Sequence, residues 1–217
     1  MSSLYVHALT DRPTPAWTTH GRRIQSVAVG NIFAVGERRA RAPQLSEEEL
    51  RFQHSIVVAI AARVPAVLPA RFGSLIDDKA LEAIVLQSES TIDEAMTLVR
   101  DRIQMTLRAA PKLKGNMATT ASSVKRRDAH LSGKQYLELR SKRASTTLPP
   151  GLESVIARTS GYVAAEHRQA TPAGTVVVYQ LVNRTDVDEY RRALGAARGL
   201  TVSGPWPPFA FVPELWS

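Results

Sequence analysis

The chain carries five histidines, His7, His20, His54, His130 and His167, and no cysteine. Without cysteine there is no disulfide, no thiolate nucleophile and no thiolate metal site. No two histidines have the i, i+4 spacing that sets two imidazoles on one cation. None has a base, a nucleophile or an orienting partner close in sequence. The tidiest carboxylate pair, Asp77-Asp78, has the composition to bind a metal or share a proton. It stands just before a helical pattern, however, where the macrodipole and unpaired backbone N–H groups favour negative charge. Capping explains it better, and Glu47-Glu48-Glu49 yields to the same argument. No G-x-G-x-x-G, P-loop or G-x-S-x-G sequence occurs, and Gly30 and Gly36 are too isolated to cradle a phosphate. The residue types thus assign no catalytic, cofactor-binding or metal-binding position.

Charge offers a different chemistry. The net charge is +8, and Lys112, Lys114, Lys125, Arg126, Arg127, Lys134, Arg140, Lys142 and Arg143 crowd one region. Phosphate contacts would use such a cluster and would weaken as salt rises. A base-stacking face is missing, because the strand pattern Ile103-Gln104-Met105-Thr106-Leu107 carries no aromatic ring. Nucleic-acid binding is therefore the alternative, and a solvated loop with an exposed helix face is the simpler reading.

The elements that position these residues follow from periodicity. Leu4 to Leu9 reads as a strand, and Arg23 to Val35 as one or two more, with a turn at Gly30-Asn31. Asp11 to Gly21 reads as a loop. A helix is expected from Ser46 to about Ala62 or Arg63. Ser46 and Glu49 have capping-box spacing, Leu45 and Leu50 can form a staple, and Leu50, Val57, Val58 and Ala61 make the apolar face. Pro65 closes it. Leu68 to Leu75 reads as buried and extended. Asp77 or Asp78 caps a helix that turns Leu81, Ile84 and Val85 inward. Thr91 and Glu94 repeat the capping box for a helix carrying Ile92, Ala95, Met96 and Val99.

The period then changes from helix to strand over Asp101 to Arg108. This places a domain boundary near residue 98, giving an N-terminal α+β domain (1–98) and a C-terminal α+β domain (99–217) with a basic insertion at about 109–130. Helices are expected over Gly133 to Ser145, with Tyr136, Leu137 and Leu139 as core contacts, and over Gly151 to Arg168. Thr175 to Val182 is a β-branched strand. Thr185 with Asp188 opens a last helix that Gly199 ends, and Leu200 to Ser203 is a short strand. With one more strand in the weak stretches, this is the β-α-β-β-α-β order of a ferredoxin-like unit. The N-terminus lacks a secretory signal pattern and no apolar run is long enough to span a bilayer, so a cytoplasmic, non-membrane protein is expected.

Two segments are left unexplained by periodicity. Leu68-Pro69-Ala70-Arg71-Phe72-Gly73 sets a guanidinium among apolar residues and prolines. Arg71 is either paired, with Asp77 or Asp78 as partner, or part of an interface, and the need to compensate buried charge favours the ion pair. Gly204-Pro205-Trp206-Pro207-Pro208-Phe209-Ala210-Phe211 fixes the backbone and leaves rings to be buried or docked. Trp206 and Phe209 either seal the core beneath the second sheet, the favoured role, or anchor a partner. Arg71, Phe72, Asp77, Trp206, Pro207 and Phe209 are the candidate structural or partner-binding residues.

These segments resemble the GvpL/GvpF family of gas vesicle proteins. Val67 to Gly73 is similar to its LPxRFG signature, and Gly204 to Phe211 to its GPWPPYxF ending, with Phe209 in the tyrosine position. Leu4-Tyr5-Val6 resembles its first strand and Gly133 to Leu137 its GxxYL helix start. The resemblance implies two α+β domains, the second a modified ferredoxin-like fold, and an accessory role in gas vesicle formation through contacts with the shell protein and other accessory proteins. It implies no enzyme activity and no cofactor. A relative redeployed as an interaction module outside gas vesicles is the second alternative.

Overall fold

The structure, a computed structural model, describes residues 3–109, 148, 150–171, 175–195 and 199–215. Apart from Ala109, the expected basic insertion and the expected helix over Gly133 to Ser145 lie outside them.

The first half is a sheet buried on both faces. Its strands are β1 (Ser3–Thr10), β2 (Trp17–Thr19), β3 (Arg22–Val29), β4 (Ile32–Arg39), β5 (Val67–Pro69) and β6 (Leu75–Ile76), in the order β2-β3-β4-β1-β5, with β6 also pairing β1. All pairings are antiparallel. On one face lies α1 (Glu47–Ala61), which packs Ile56 and Ile60 against Ala8, Ile24 and Val35. On the other lie α2 (Asp78–Gln87) and α3 (Glu89–Val99), which pack Leu81, Val85, Ile92 and Met96 against Leu4, Val6 and Leu9. This two-sided burial explains why Leu4 to Leu9 is buried at every position and does not alternate apolar with polar, His7 alone interrupting the apolar residues.

The alternation slips once. The β1–β4 register shifts between Val6 and Ala8, so His7 is a bulge residue. Gly36 stands opposite Val6, and a Cβ on it would sit 2.2 Å from the Tyr5 carbonyl oxygen. A side chain there has no room.

The second half begins with β7 (Arg102–Ala109). There follow α4 (Pro150–Thr159), β8 (Val163–Ala170), β9 (Val176–Asn183), α5 (Val187–Leu194) and β10 (Leu200–Trp206). The sheet order is β10-β7-β9-β8, all antiparallel. Among the described residues this is the ferredoxin-like order of elements. Its core joins Met105, Leu107, Leu152, Val155, Val178 and Tyr190. Inside it, the Tyr190 hydroxyl donates to Gln180 Oε1 at 2.7 Å and Gln180 Nε2 donates to Glu166 Oε2 at 2.8 Å. Burial, with Glu166 nearby, raises the Tyr190 pKa, so the hydroxyl stays a donor.

The two halves share apolar packing. Leu181 of β9 and Leu215 belong to the same buried cluster as Leu4 and Met96, with Phe211 and Val212 against it. Backbone bonds add to the junction: Asp101 N–H donates to Pro65 O at 2.8 Å, and Arg184 N–H to Asp101 O at 2.9 Å.

Several expectations change. The helix expected over Gly151 to Arg168 stops at Thr159, and Val163 to Ala170 is the strand that the sequence left hidden. Its Ala, Glu, Arg and Gln residues have little strand preference, and pairing with β9 overrides that preference. Asp11 to Gly21 contains the short strand β2. Ser88, not Thr91, precedes α3, and makes no side-chain capping bond. Gly195, with φ 57°, ends α5, rather than Gly199. Leu45 and Leu50 are exposed and form no buried staple. The inner face of α1 is Gln53, Ile56, Val57 and Ile60, rotated from the one expected, with Val58 exposed.

Gly36→Ala is expected to cost about 3 kcal/mol or more, because the clash is with backbone on a central strand. Gly21→Ala, in open space but at φ 71°, is expected to cost only about 1 kcal/mol. Urea denaturation of both variants checks the contrast.

Candidate interaction site

The Leu68 to Gly73 segment is an interrupted edge strand. Ala70 N–H donates to His7 O at 2.9 Å, and Val6 N–H to Ser74 O at 2.8 Å. Pairing with β1 therefore holds on both sides, while Arg71, Phe72 and Gly73 loop out between β5 and β6. Gly73 has φ 91°, which glycine adopts without strain. The loop is tied down from below. The Tyr5 hydroxyl donates to Gln53 Oε1 at 2.6 Å and accepts from Gly73 N–H at 3.2 Å, and Gln53 Nε2 donates to Ala70 O at 3.0 Å. Phe72 sets its ring edge-on to Tyr5, with centroids 6.4 Å apart.

Arg71 is held outward. It is exposed and makes no ion pair among the described residues, so the expected pairing with Asp77 or Asp78 does not form. Asp77 instead accepts from Ala80 N–H at 2.9 Å as the α2 cap. Asp78 is taken by a forked pair with Arg38, at 2.7 and 3.0 Å. An exposed guanidinium keeps its hydration and needs no internal partner. Phe72, Ile76 and Ile84 line a shallow groove beside it, of about 380 Å³.

The tail also departs from the expected role. Trp206 is half-buried, Pro207 and Pro208 are buried, and Phe209 is 40% exposed. The Ala210 N–H donates to Gln104 Oε1 at 2.8 Å, which anchors the turn on β7. Beyond β10 the chain reaches the first half. His54 of α1 meets Trp206 edge-on at 5.4 Å and stacks on Phe209 at 5.7 Å. The rings thus bridge the second sheet to α1 rather than seal the core beneath that sheet. Leu50, His54 and Val58 are four residues apart on α1 and so share a face. Leu50 and Val58 are exposed there.

A partly buried ionic cluster lies beneath α1, and no local motif singles it out. His7 and Glu37 are buried on the sheet, with Nε2 and Oε1 3.8 Å apart. Arg22 forks onto Glu49 of α1, with one contact at 2.9 Å, and lies over the Phe52 ring at 4.2 Å. Arg39 Nη1 is 3.7 Å from Glu37 and 3.8 Å from Glu49. Burial, reinforced by Arg22 and Arg39, pushes the His7 pKa down to about 4, so the imidazole is neutral at pH 7. Burial raises Glu37, with Arg39 and Arg22 opposing. Hydrogen bonding to Arg22 lowers Glu49. Two arginines and two carboxylates balance, and the cluster fastens α1 to the sheet. His7 exposes no surface to a substrate. The residues sit at positions 7, 22, 37, 39 and 49, and only strand pairing together with the docking of α1 brings them together, so no local spacing announces them.

No group of three or more His, Cys, Asp or Glu residues with metal-holding geometry occurs among the described residues. No described helix is long and apolar enough to cross a membrane.

Comparison with known proteins agrees with this architecture. Residues 3–213 match the family described as gas vesicle synthesis protein GvpL/GvpF. The fold is similar to the crystal structure of the gas vesicle protein GvpF from Anabaena sp. PCC7120. The TM-score is 0.69 at 11% identity, covering 98% of this chain and 99% of that one. It is also similar to GvpF from Microcystis aeruginosa, with a TM-score of 0.69 at 13% identity, covering 96% and 98%. Comparison with curated proteins gives no match.

His7 makes stability depend on pH. Its pKa is lower in the folded state than the ordinary 6.5, so the unfolded chain binds the extra proton between about pH 6.5 and pH 4. Its contribution is complete above pH 6.5 and is lost as pH falls towards 4, by about 3 kcal/mol in all. Glu37, raised, acts in the opposite direction and trims the low end. Urea midpoints across this range are expected to fall with acid, and His7→Leu to flatten the slope. Tyr5→Phe removes both bonds of the hydroxyl and is expected to cost about 1–3 kcal/mol, read as a lowered midpoint.

Proposed function

The chain belongs to the GvpL/GvpF family of gas vesicle synthesis proteins, and from that premise we propose that it is an accessory protein of gas vesicle formation, binding the shell protein or other accessory proteins during assembly. The observation that carries this reading is the surface built around α1. Leu50, Val58 and Phe209 are large apolar side chains left on the surface, and Phe209 is fixed against His54. Apolar groups that stay outside a core large enough to bury them mark an interaction site when they gather. Rings fixed by prolines and stacking lose little freedom on docking, which suits them as anchors.

On this reading the chain has two domains that meet near residue 98, and it works in the cytoplasm at the forming vesicle. The exposed guanidinium of Arg71 and the groove beside Phe72 are a second contact. Shell subunits present apolar strands before they assemble and would otherwise join through their edges. A partner that covers those apolar strands for a time keeps assembly ordered. Asp77 and Pro207 serve this role indirectly, as the α2 cap and as the buried base of the tail turn.

Pull-down of the shell protein by the full chain tests the proposal. Retention above background is expected, and Phe209→Ala with Val58→Ser is expected to weaken it at least about tenfold while the thermal midpoint shifts little. No retention at any salt concentration would remove the shell-binding version.

A further inference from the structure

The β3–β4 ladder ends at Gln25 and Gly36. Beyond that point Arg22 to Ile24 continue along β2, and Glu37 to Arg39 continue along β1. The two strands diverge, and a cleft of about 640 Å³ opens where they part. Arginines line it: Arg22 and Arg23 from one strand, Arg38, Arg39 and Arg41 from the other and its extension. Three are held by internal carboxylates. Arg22 is fixed by Glu49, Arg38 by Asp78, and Arg39 lies against Glu37 and Glu49. Arg23 and Arg41 are exposed and make no ion pair with any described residue. Five guanidinium groups against Glu37, Glu49 and Asp78 leave the cleft cationic by two charges.

We propose that this cleft binds an extended acidic segment of a partner protein. The inference deepens the reading of the chain as an interaction protein and rests on it. Guanidinium groups recognise carboxylates bidentately, and Arg23 and Arg41 are the two of the five that no described carboxylate engages. The diverging strands also turn edges towards the gap that have no ladder partner in this stretch. A peptide backbone can complete such edges, whereas a phosphodiester backbone has no N–H to offer them. Among the described residues no aromatic side chain lines the cleft to stack a base. Peptide therefore fits better than nucleic acid.

Fluorescence polarisation with a labelled Asp- and Glu-rich twelve-residue peptide and the full chain tests this. Saturable binding is expected, weakening as salt rises. Arg23→Glu with Arg41→Glu is expected to weaken it at least tenfold without lowering the melting temperature. Lys125→Glu, Arg126→Glu and Arg127→Glu together, a charge reversal of equal sign elsewhere in the sequence, are expected to leave the peptide affinity within twofold. Equal binding by the Arg23/Arg41 variant would overturn the proposal. So would tighter binding of a single-stranded oligonucleotide of equal charge that the same two substitutions abolish. Peptide binding alongside a failed shell-protein pull-down would keep the cleft and reject only the shell-binding version of the proposed function.

Discussion

The first half is organised by the burial of β1 on both faces. Leu4, Val6 and Leu9 face α2 and α3, while Tyr5, His7 and Ala8 face α1. A strand so enclosed cannot slip in register without moving its whole apolar set. Both pairings of its edges start from that fixed position. Along one edge it carries β5 and β6, with the Arg71 loop pinned between them by Tyr5. Along the other it carries β4, whose end forms one wall of the arginine cleft. The bulge at His7 puts two successive residues on the α1 side, and Gly36 is the small residue that lets β4 approach there.

The energetics of α1 mix two kinds of interaction. Ile56 and Ile60 bury apolar surface, worth about 1.5–3 kcal/mol each when fully enclosed. The Arg22–Glu49 fork and its neighbours are partly buried charges, whose attraction is largely offset by lost hydration. Their effect is to set orientation: only one rotation of α1 brings Glu49, Phe52 and Gln53 onto Arg22, His7 and Tyr5. That rotation also decides which face is left outside, and Leu50, His54 and Val58 occupy it. Glu49 shows the competition. Ser46 accepts from Glu49 N–H at 3.2 Å, as a capping box requires, but the Glu49 carboxylate goes to Arg22.

Much of the fold was legible because it is written in local spacing. The strand at Ile103 to Leu107, the Asp77 cap and the end of α1 before Pro65 all follow from neighbouring residues. The strand at Val163 to Ala170 was not, because its residues prefer helix and only β9 makes them a strand. The candidate site divides in the same way. Arg71 and Phe209 stood out as residue types in unusual company, but the ion pair expected of the one and the core-sealing role expected of the other are not what the fold makes of them. The outward turn of Arg71 depends on Tyr5 and Gln53, and the seat of Phe209 on His54, each far away in sequence. The ionic cluster is the product of strand pairing and of α1 docking on the sheet, and the arginine cleft joins two short basic runs, Arg22-Arg23 and Arg38 to Arg41, that only the fold brings together.

Shared packing between the halves bears on how the chain is made. Leu4 and Met96 lie in one cluster with Leu181 and Leu215. On a ribosome adding about 5–20 residues per second, the early strands and helices wait on the order of ten seconds for those late partners. Until Leu181 and Leu215 are made, the part of that cluster they cover stays open to water, so the first half closes its core only when late residues arrive.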